Sequence, residues 1–372
     1  MSPTGRGRGV VFYDHLRTNS EYSLIEIFGK MGHRCRVIDM YGEVVMSIPG
    51  STCEIDDDGR VISNYEGMSI WNSELRLESQ NAMMQVHHDI ASDHARDEIV
   101  AWTYDTKNLK SWPRKETKRG WRTPLFLEDV LRSFDRMGNL IWEWKVSEHI
   151  LEIERATGGS LKIQPRMWKE NGTYELTHFN GVQILPANEL EKDFPEFRSG
   201  NYLVSCSTCA LIAIIDRDSK KIIWSYRVPG QNPSVHAARM TENGNIVFFR
   251  NSSKSATLPA SDLAAIFEIS PVSGHIVWNY SSPDPNLFSA DLLGAVTILK
   301  NGNFLISHLK NGGGAFEISR SGRLVWEWTN SIDNPVFPGN VYRVRRLSHE
   351  LVDPLLKRIV IKRGVPSLFF DP

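Results

Sequence analysis

The chain has 372 residues, 41% apolar and 23% charged, and its 43 basic residues against 44 acidic ones give a formal net charge of -1. That size suits two or three ordinary domains or one large repeat architecture. The even balance offers no basic stripe to displace counterions, which argues against a nucleic-acid partner.

No run approaches the ~18 apolar residues of a membrane helix, so no membrane partner is expected. The basic opening "MSPTGRGRGVVFYDHLRTNSEYS" is not followed by an apolar signal core. Cys35, Cys53, Cys206 and Cys209 are too few for a disulfide framework. The expected setting is cytoplasmic, with reduced thiols.

Residues 1–20 read as an N-terminal extension, 21–348 as one repeat domain and 349–372 as a packed C-terminal tail. Along the domain two phrases alternate. The first is an apolar strand, a polar turn and a strand with a tryptophan: "VLRSFDRMGNLIWEW" (130–144), "LIAIIDRDSKKIIWSY" (211–226), "AIFEISPVSGHIVWNY" (265–280) and "GAFEISRSGRLVWEW" (314–328). Weaker copies are "CRVIDMYGEVVMSI" (35–48), with Met46 at the tryptophan position, and "EGMSIWN" (66–72). The second phrase is a hairpin: "STCEIDDDGRVIS" (51–63), "HHDIASDHARDEIVAW" (87–102), "HAARMTENGNIVFF" (236–249) and "GAVTILKNGNFLIS" (294–307). "HFNGVQILPANELEKDFPEFRSGNYLVS" (178–205) is the same hairpin with an insertion at its turn, and residues 147–172 read as a short helix and a loop.

Period-2 patterning, β-branched and aromatic enrichment and Asn-Gly turns make these elements strands. Two hairpins per unit give a repeat of about 45–50 residues, the period of a propeller blade. The fold class is therefore all-β: a six-bladed β-propeller of four-stranded antiparallel blades. The strand "NVYRVRRLS" (340–348) is expected to close the ring against "YSLIEIF" (22–28). The tryptophans are assigned to packing between blades.

In such a ring the first strand of each blade lines the axis. Counting back eight residues from the turn residues Gly244 and Arg96 gives His236 and His88, while the same count from Gly302 and Gly59 gives Gly294 and Ser51. His178 holds the equivalent strand-start position in the fourth blade, so three imidazoles converge, with His87, Asp89 and Asn180 beside them. Since Gly and Ser serve in other blades, the fold does not require His there. Clustered imidazoles suit proton transfer, nucleophilic attack, anion binding or metal ligation.

The succession "HHDI", "GNLIWEW", "THFNGVQ", "NYLVSCSTCALIAIIDRDSKKIIWSY" and "VHAARMTENGNIVFF" resembles the arylsulfotransferase family of six-bladed propellers over roughly residues 20–348. The resemblance implies transfer of a sulfuryl group from an aryl sulfate to a phenolic acceptor without a cofactor. His236 would be the nucleophile, and His88, His178 and Asn180 would hold sulfuryl oxygens and handle protons. His87, Asp89, Ser207 and Arg343 would contact the small aromatic substrate. The family pattern has an arginine where this sequence has Ser207, and Arg239, Arg250 and Arg343 are the candidates to replace that charge.

Two other classes remain open. His88, His178 and His236 could ligate copper, zinc or iron in a lyase or oxidoreductase, with the Cys206-x-x-Cys209 pair as further soft ligands. The propeller could also be a non-catalytic interaction module.

Overall fold

A computed structural model describes residues 9–28, 34–108, 115–117, 120–122, 125–159, 173–175, 177–230, 233–251, 264–281, 293–308, 313–330, 340–361 and 369. Six sheets form the six blades of a propeller, each with four antiparallel strands, and blade 3 carries in addition the short strand Thr173–Glu175, parallel to Leu125–Leu127. From the axis outward, blade 1 holds Asn340–Leu347, Tyr22–Phe28, Arg34–Ile38 and Val44–Pro49. Blade 2 holds Cys53–Ile55, Val61–Asn64, Met68–Trp71 and Leu77–Asn81. Blade 3 holds Val86–Asp93, Glu98–Asn108, Leu125–Phe134 and Leu140–Lys145. Blade 4 holds Phe179–Ile184, Tyr202–Cys206, Leu211–Ile215 and Ile222–Arg227. Blade 5 holds Ser234–Met240, Ile246–Asn251, Ala265–Ile269 and Ile276–Tyr280. Blade 6 holds Ala295–Ile298, Phe304–His308, Gly314–Ile318 and Leu324–Thr329.

Burial explains the two strand textures in the sequence. Middle strands such as Leu211–Ile215 are covered on both faces and are apolar throughout, whereas the outer strand Ile222–Arg227 alternates half-buried with exposed residues. The polar turns have a common mechanism. In each of three of them an aspartate (Asp39, Asp56, Asp135) accepts backbone N–H groups from residues two and four positions on. A glycine with positive φ (Gly42, Gly59, Gly138) completes each turn.

The ring closes as expected: Asn340–Leu347 pairs antiparallel with Tyr22–Phe28, from Tyr22–Leu347 to Phe28–Asn340. The tryptophans do more than fill volume, because each repeat indole N–H donates to a turn carbonyl of the next blade. Trp142 reaches Arg217 (2.8 Å), Trp224 reaches Pro271 (3.1 Å), Trp278 reaches Arg320 (2.9 Å) and Trp326 reaches Met40 (3.2 Å).

Two features differ from the sequence reading. Within the stretch taken as an N-terminal extension, Gly9–Tyr13 is a fifth strand on blade 6, paired with Leu324–Thr329. The copy at Trp71 lies on the third strand of blade 2, because the turn at Asn72–Leu75 leads into a further, polar outer strand, Leu77–Asn81. As expected, the 147–172 segment contains a short helix, α1 (Ile150–Ala156); residues 160–172 lie outside the described residues. The tail forms a second helix, α2 (His349–Ile361). Its Val352, Leu355 and Ile359, with Phe369, pack against Leu24, Val37, Ile55 and Trp71 of blades 1 and 2.

A charged plug crosses the axis. Arg343 of blade 1 gives two hydrogen bonds to Glu26 (2.7 and 2.9 Å) and pairs with Asp89 of blade 3. The other oxygen of Asp89 accepts from Arg239 of blade 5 (2.6 Å) and from the Val182 backbone of blade 4 (3.1 Å). Glu26 also receives the backbone N–H of Cys53 in blade 2 (3.1 Å), and Arg345 pairs with Glu54. Asp89, Glu26 and Arg343 are almost completely buried. Asp89 and Arg343, expected to contact substrate, are therefore bound to other protein groups. A buried ion network of this kind offsets its own desolvation only when complete.

Arg343→Met should lower stability by about 3–5 kcal/mol, because Glu26 and Asp89 would lose their shared partner; urea unfolding checks this. Leu355→Ala should cost about 2–5 kcal/mol in the same assay, as expected for an aliphatic side chain removed from a closed core.

Candidate active site

The inner strands begin at one end of the axis, and most of them break their ladder there. Pairing shifts by one or more residues at His87–Asp89 in blade 3, at Asn180 in blade 4, at Ala237–Ala238 in blade 5 and at Tyr342 in blade 1. His88 and Ala237 sit at positive φ (59° and 51°) within these bulges. A bulge re-aims the neighbouring side chains, here away from the regular alternation. The bulge-forming sequences thus explain how residues distant along the chain meet.

His88 and His178 do meet. Their Nε2 atoms are 3.2 Å apart and their rings stand edge to face. His87 Nδ1 lies 2.8 Å from His88 Nδ1, and the His87 ring stacks on Tyr104 at 3.7 Å. His178 Nδ1 contacts Glu175 at 3.0 Å, and His87 Nε2 faces Asp129 at 3.3 Å. Burial, and then the charges available at His178, His87, His236 and Arg343, hold the His88 imidazole well below its usual range. Tyr342 takes the equivalent place in blade 1, with its ring edge to face with His88 (centroids 5.7 Å apart) and its hydroxyl donating to the Asn180 carbonyl (3.4 Å). Burial and Glu26 raise that phenol far above the ordinary tyrosine range, so it remains a donor.

His236 is buried and its tautomer can be derived. The Asn251 side-chain amide donates to the Leu293 carbonyl (2.5 Å), which leaves Asn251 Oδ1 facing His236 Nδ1 at 2.6 Å. An amide oxygen only accepts, so Nδ1 carries the proton and the neutral ring has its lone pair on Nε2.

Asn180 is bound on both sides of its amide. Nδ2 donates to Val235 O (2.9 Å) and Oδ1 accepts from Ser205 (2.8 Å), which leaves one N–H for any ligand. Ser207 shares a 2.6 Å hydrogen bond with Ser234, and its N–H donates to the His178 carbonyl (2.9 Å). Of the candidate replacement cations, Arg343 and Arg239 are both committed to Asp89. Burial and the repulsion of Arg345 pull the Arg239 guanidinium down to about 10. Arg250 lies over the Phe267 ring at 4.9 Å.

The metal reading does not fit. Among the described residues, the one set of three ligand atoms within 4.8 Å of one another is Glu26, Cys35 and Cys53; His88, His178 and His236 do not form such a set. That set is itself unsuited to a cation, since Glu26 is held by a guanidinium and Cys35 donates to the Gly50 carbonyl (3.4 Å). Cys206 ends the second strand of blade 4 and Cys209 lies in the following turn, with Thr208 Oγ1 3.6 and 3.9 Å from their sulfurs. Burial opposes ionisation of Cys206, but hydrogen bonds from Cys209, the His178 backbone and Thr208 bring its thiol below the usual range. Cys209 is correspondingly raised.

Sequence reading missed Asp129, Glu175, Tyr104, Tyr342 and Asn251. Asp129 was detectable in principle, because "LFLEDVLRSF" places two carboxylates inside an apolar strand, and charge there must be paired.

Among solved structures, the chain is similar to a protein of unknown function from Bacteroides caccae: TM-score 0.53, 11% identity, 87% of this chain and 98% of that one covered. Hydrazine synthase of Kuenenia stuttgartiensis aligns at TM-score 0.42 and 12% identity over 73% and 64% of the two chains. The β-propeller domain of Myceliophteria thermophila Cps50 (Swd1) aligns at TM-score 0.42 and 13% identity over 87% and 86%. No curated protein matches. The family model for arylsulfotransferase (ASST) matches residues 59–331, which take in blades 3, 4 and 5 and every histidine of the cluster, and the chain belongs to that family.

Proposed function

We propose that the chain is a sulfuryl transferase acting between an aryl sulfate and a phenolic acceptor, with His236 as the covalent carrier. The observation that supports this most directly is the Asn251 contact, which fixes the proton on Nδ1 and the nucleophilic lone pair on Nε2. In the first half-reaction Nε2 attacks sulfur, the bond from sulfur to the aryl oxygen breaks and the phenolate takes a proton from a nearby imidazole. In the second half-reaction the acceptor oxygen attacks the sulfo-imidazole, gives its proton back to that imidazole and releases neutral His236. Splitting the transfer in this way replaces one difficult displacement with two easier ones. No redox partner or nucleotide is needed for the balance.

His178 and His88 are the groups suited to proton exchange, since they lie side by side, partly buried, at the same end of the axis. Burial favours a neutral His88 near pH 7, ready to accept a proton. The remaining Asn180 N–H is the donor for a sulfuryl oxygen, while the Tyr342 hydroxyl, spent on the Asn180 carbonyl, holds that residue in place.

With a chromogenic aryl sulfate and a phenol acceptor, His236→Ala should abolish phenolate release, and isotopically labelled sulfur should be found on the His236 peptide of the wild type only. Asn251→Leu should lower kcat by about 10²-fold, the scale of a mis-set proton position on a catalytic imidazole. Full turnover by His236→Ala would reject the reading.

A further inference from the structure

Glu175, His178, His88, His87 and Asp129 form one continuous line across the seam between blades 3 and 4. Its four contacts are Glu175 to His178 Nδ1 (3.0 Å), His178 Nε2 to His88 Nε2 (3.2 Å), His88 Nδ1 to His87 Nδ1 (2.8 Å) and His87 Nε2 to Asp129 Oδ1 (3.3 Å). Every ring nitrogen of the three histidines takes part. Each contact brings lone pairs face to face unless a proton lies between them. Four contacts need four protons, and three neutral imidazoles carry only three.

We propose that this chain holds one proton more than three neutral rings, and that the proton passes between His87 and His178 through His88. In one limit His87 is the imidazolium: it donates to Asp129 and to His88, His88 donates to His178, and His178 donates to Glu175. In the other limit His178 is the imidazolium: it donates to Glu175 and to His88, His88 donates to His87, and His87 donates to Asp129. The limits differ by two hops, His87 Nδ1 to His88 Nδ1 and His88 Nε2 to His178 Nε2. His88 starts and ends neutral, and atoms and charge balance.

The surroundings fit both limits. Asp129 is fully buried and its Oδ2 accepts from Thr177 and from the Phe179 N–H. That leaves Oδ1 3.3 Å from His87 Nε2, and neither of these two buried atoms has another hydrogen-bond partner, so a proton on His87 Nε2 is what satisfies both. Glu175, also buried, sits at the other end and receives the Tyr104 hydroxyl at 3.3 Å. Tyr104 therefore touches both ends, through its ring on His87 and its hydroxyl on Glu175. Tyr342 stands edge-on to His88, while His236 and Arg343 add positive character that disfavours charge on the central ring. On the sulfuryl-transfer reading, on which this use of the chain rests, a sulfate arriving near His178 draws the proton to the blade 4 end. That supplies positive charge beside Ser207, where the family pattern has an arginine.

The test reads protonation directly and needs no turnover, so its outcome is separate from that of the sulfotransferase assay. In substrate-free protein carrying ¹⁵N-histidine, long-range ¹H–¹⁵N spectra at about pH 7.5 should show one doubly protonated ring shared between His87 and His178, with His88 singly protonated. Asp129→Asn should shift the doubly protonated signature wholly to His178, and Glu175→Gln should shift it wholly to His87. The two variants are read independently, so failure of one to fold leaves the other decisive. Three singly protonated rings in the wild type, or spectra that neither substitution changes, would overturn the proposal.

Discussion

The carboxylate of Asp89 is the constraint on which the rest of the centre depends. It takes a guanidinium from blade 1, another from blade 5 and a backbone N–H from blade 4, while its own strand belongs to blade 3. A propeller has no core on its axis, because its apolar packing lies between blades. The inner strands are short and bulged and need something to fix their separation. Here charge does so, and it does so one residue from His88. The positions of His87 and His88 are therefore set by the same residue that holds the ring's inner ends together.

Bulges and buried charge act jointly. A regular inner strand would alternate its side chains between the two blade interfaces, and none would be directed along the axis. Breaking the ladder at corresponding places in blades 1, 3, 4 and 5 turns Tyr342, His88, Asn180 and His236 into a common neighbourhood. Positive φ at His88 is uncommon for a residue with a Cβ and has an energetic cost. The contacts of His88 with His87 and His178 hold it there.

The architecture could be read from the chain because its signals are local and repeated: an aspartate-and-glycine turn, a tryptophan strand, an Asn-Gly hairpin. The ring closure followed from the single strand left over. Blade 2 was misjudged at Trp71 because its true outer strand, "LESQN", has no aromatic or alternating pattern. The histidines were found from repeat register, whereas the groups that control them were not. Glu175, Asp129 and Asn251 come from other strands, and their relation to the cluster depends on which face of a sheet meets which neighbour. The axial role of Arg343 was hidden for the same reason, since no spacing rule shows that two carboxylates from different blades already surround a guanidinium.

The closure also has a consequence for synthesis. Roughly three hundred residues separate the strand Tyr22–Phe28 from its inner partner Asn340–Leu347, so at about 5–20 residues per second the first blade waits on the order of tens of seconds for completion. Throughout that interval its inner edge has no ladder partner. The strand that arrives late also brings Arg343 and Arg345, so Glu26, Glu54 and Asp89 remain without those counter-charges until the ring shuts. Until then Asp89 has Arg239 of blade 5 as its one guanidinium partner, so the late strand completes the charge balance of the axis in the same step that completes the first blade.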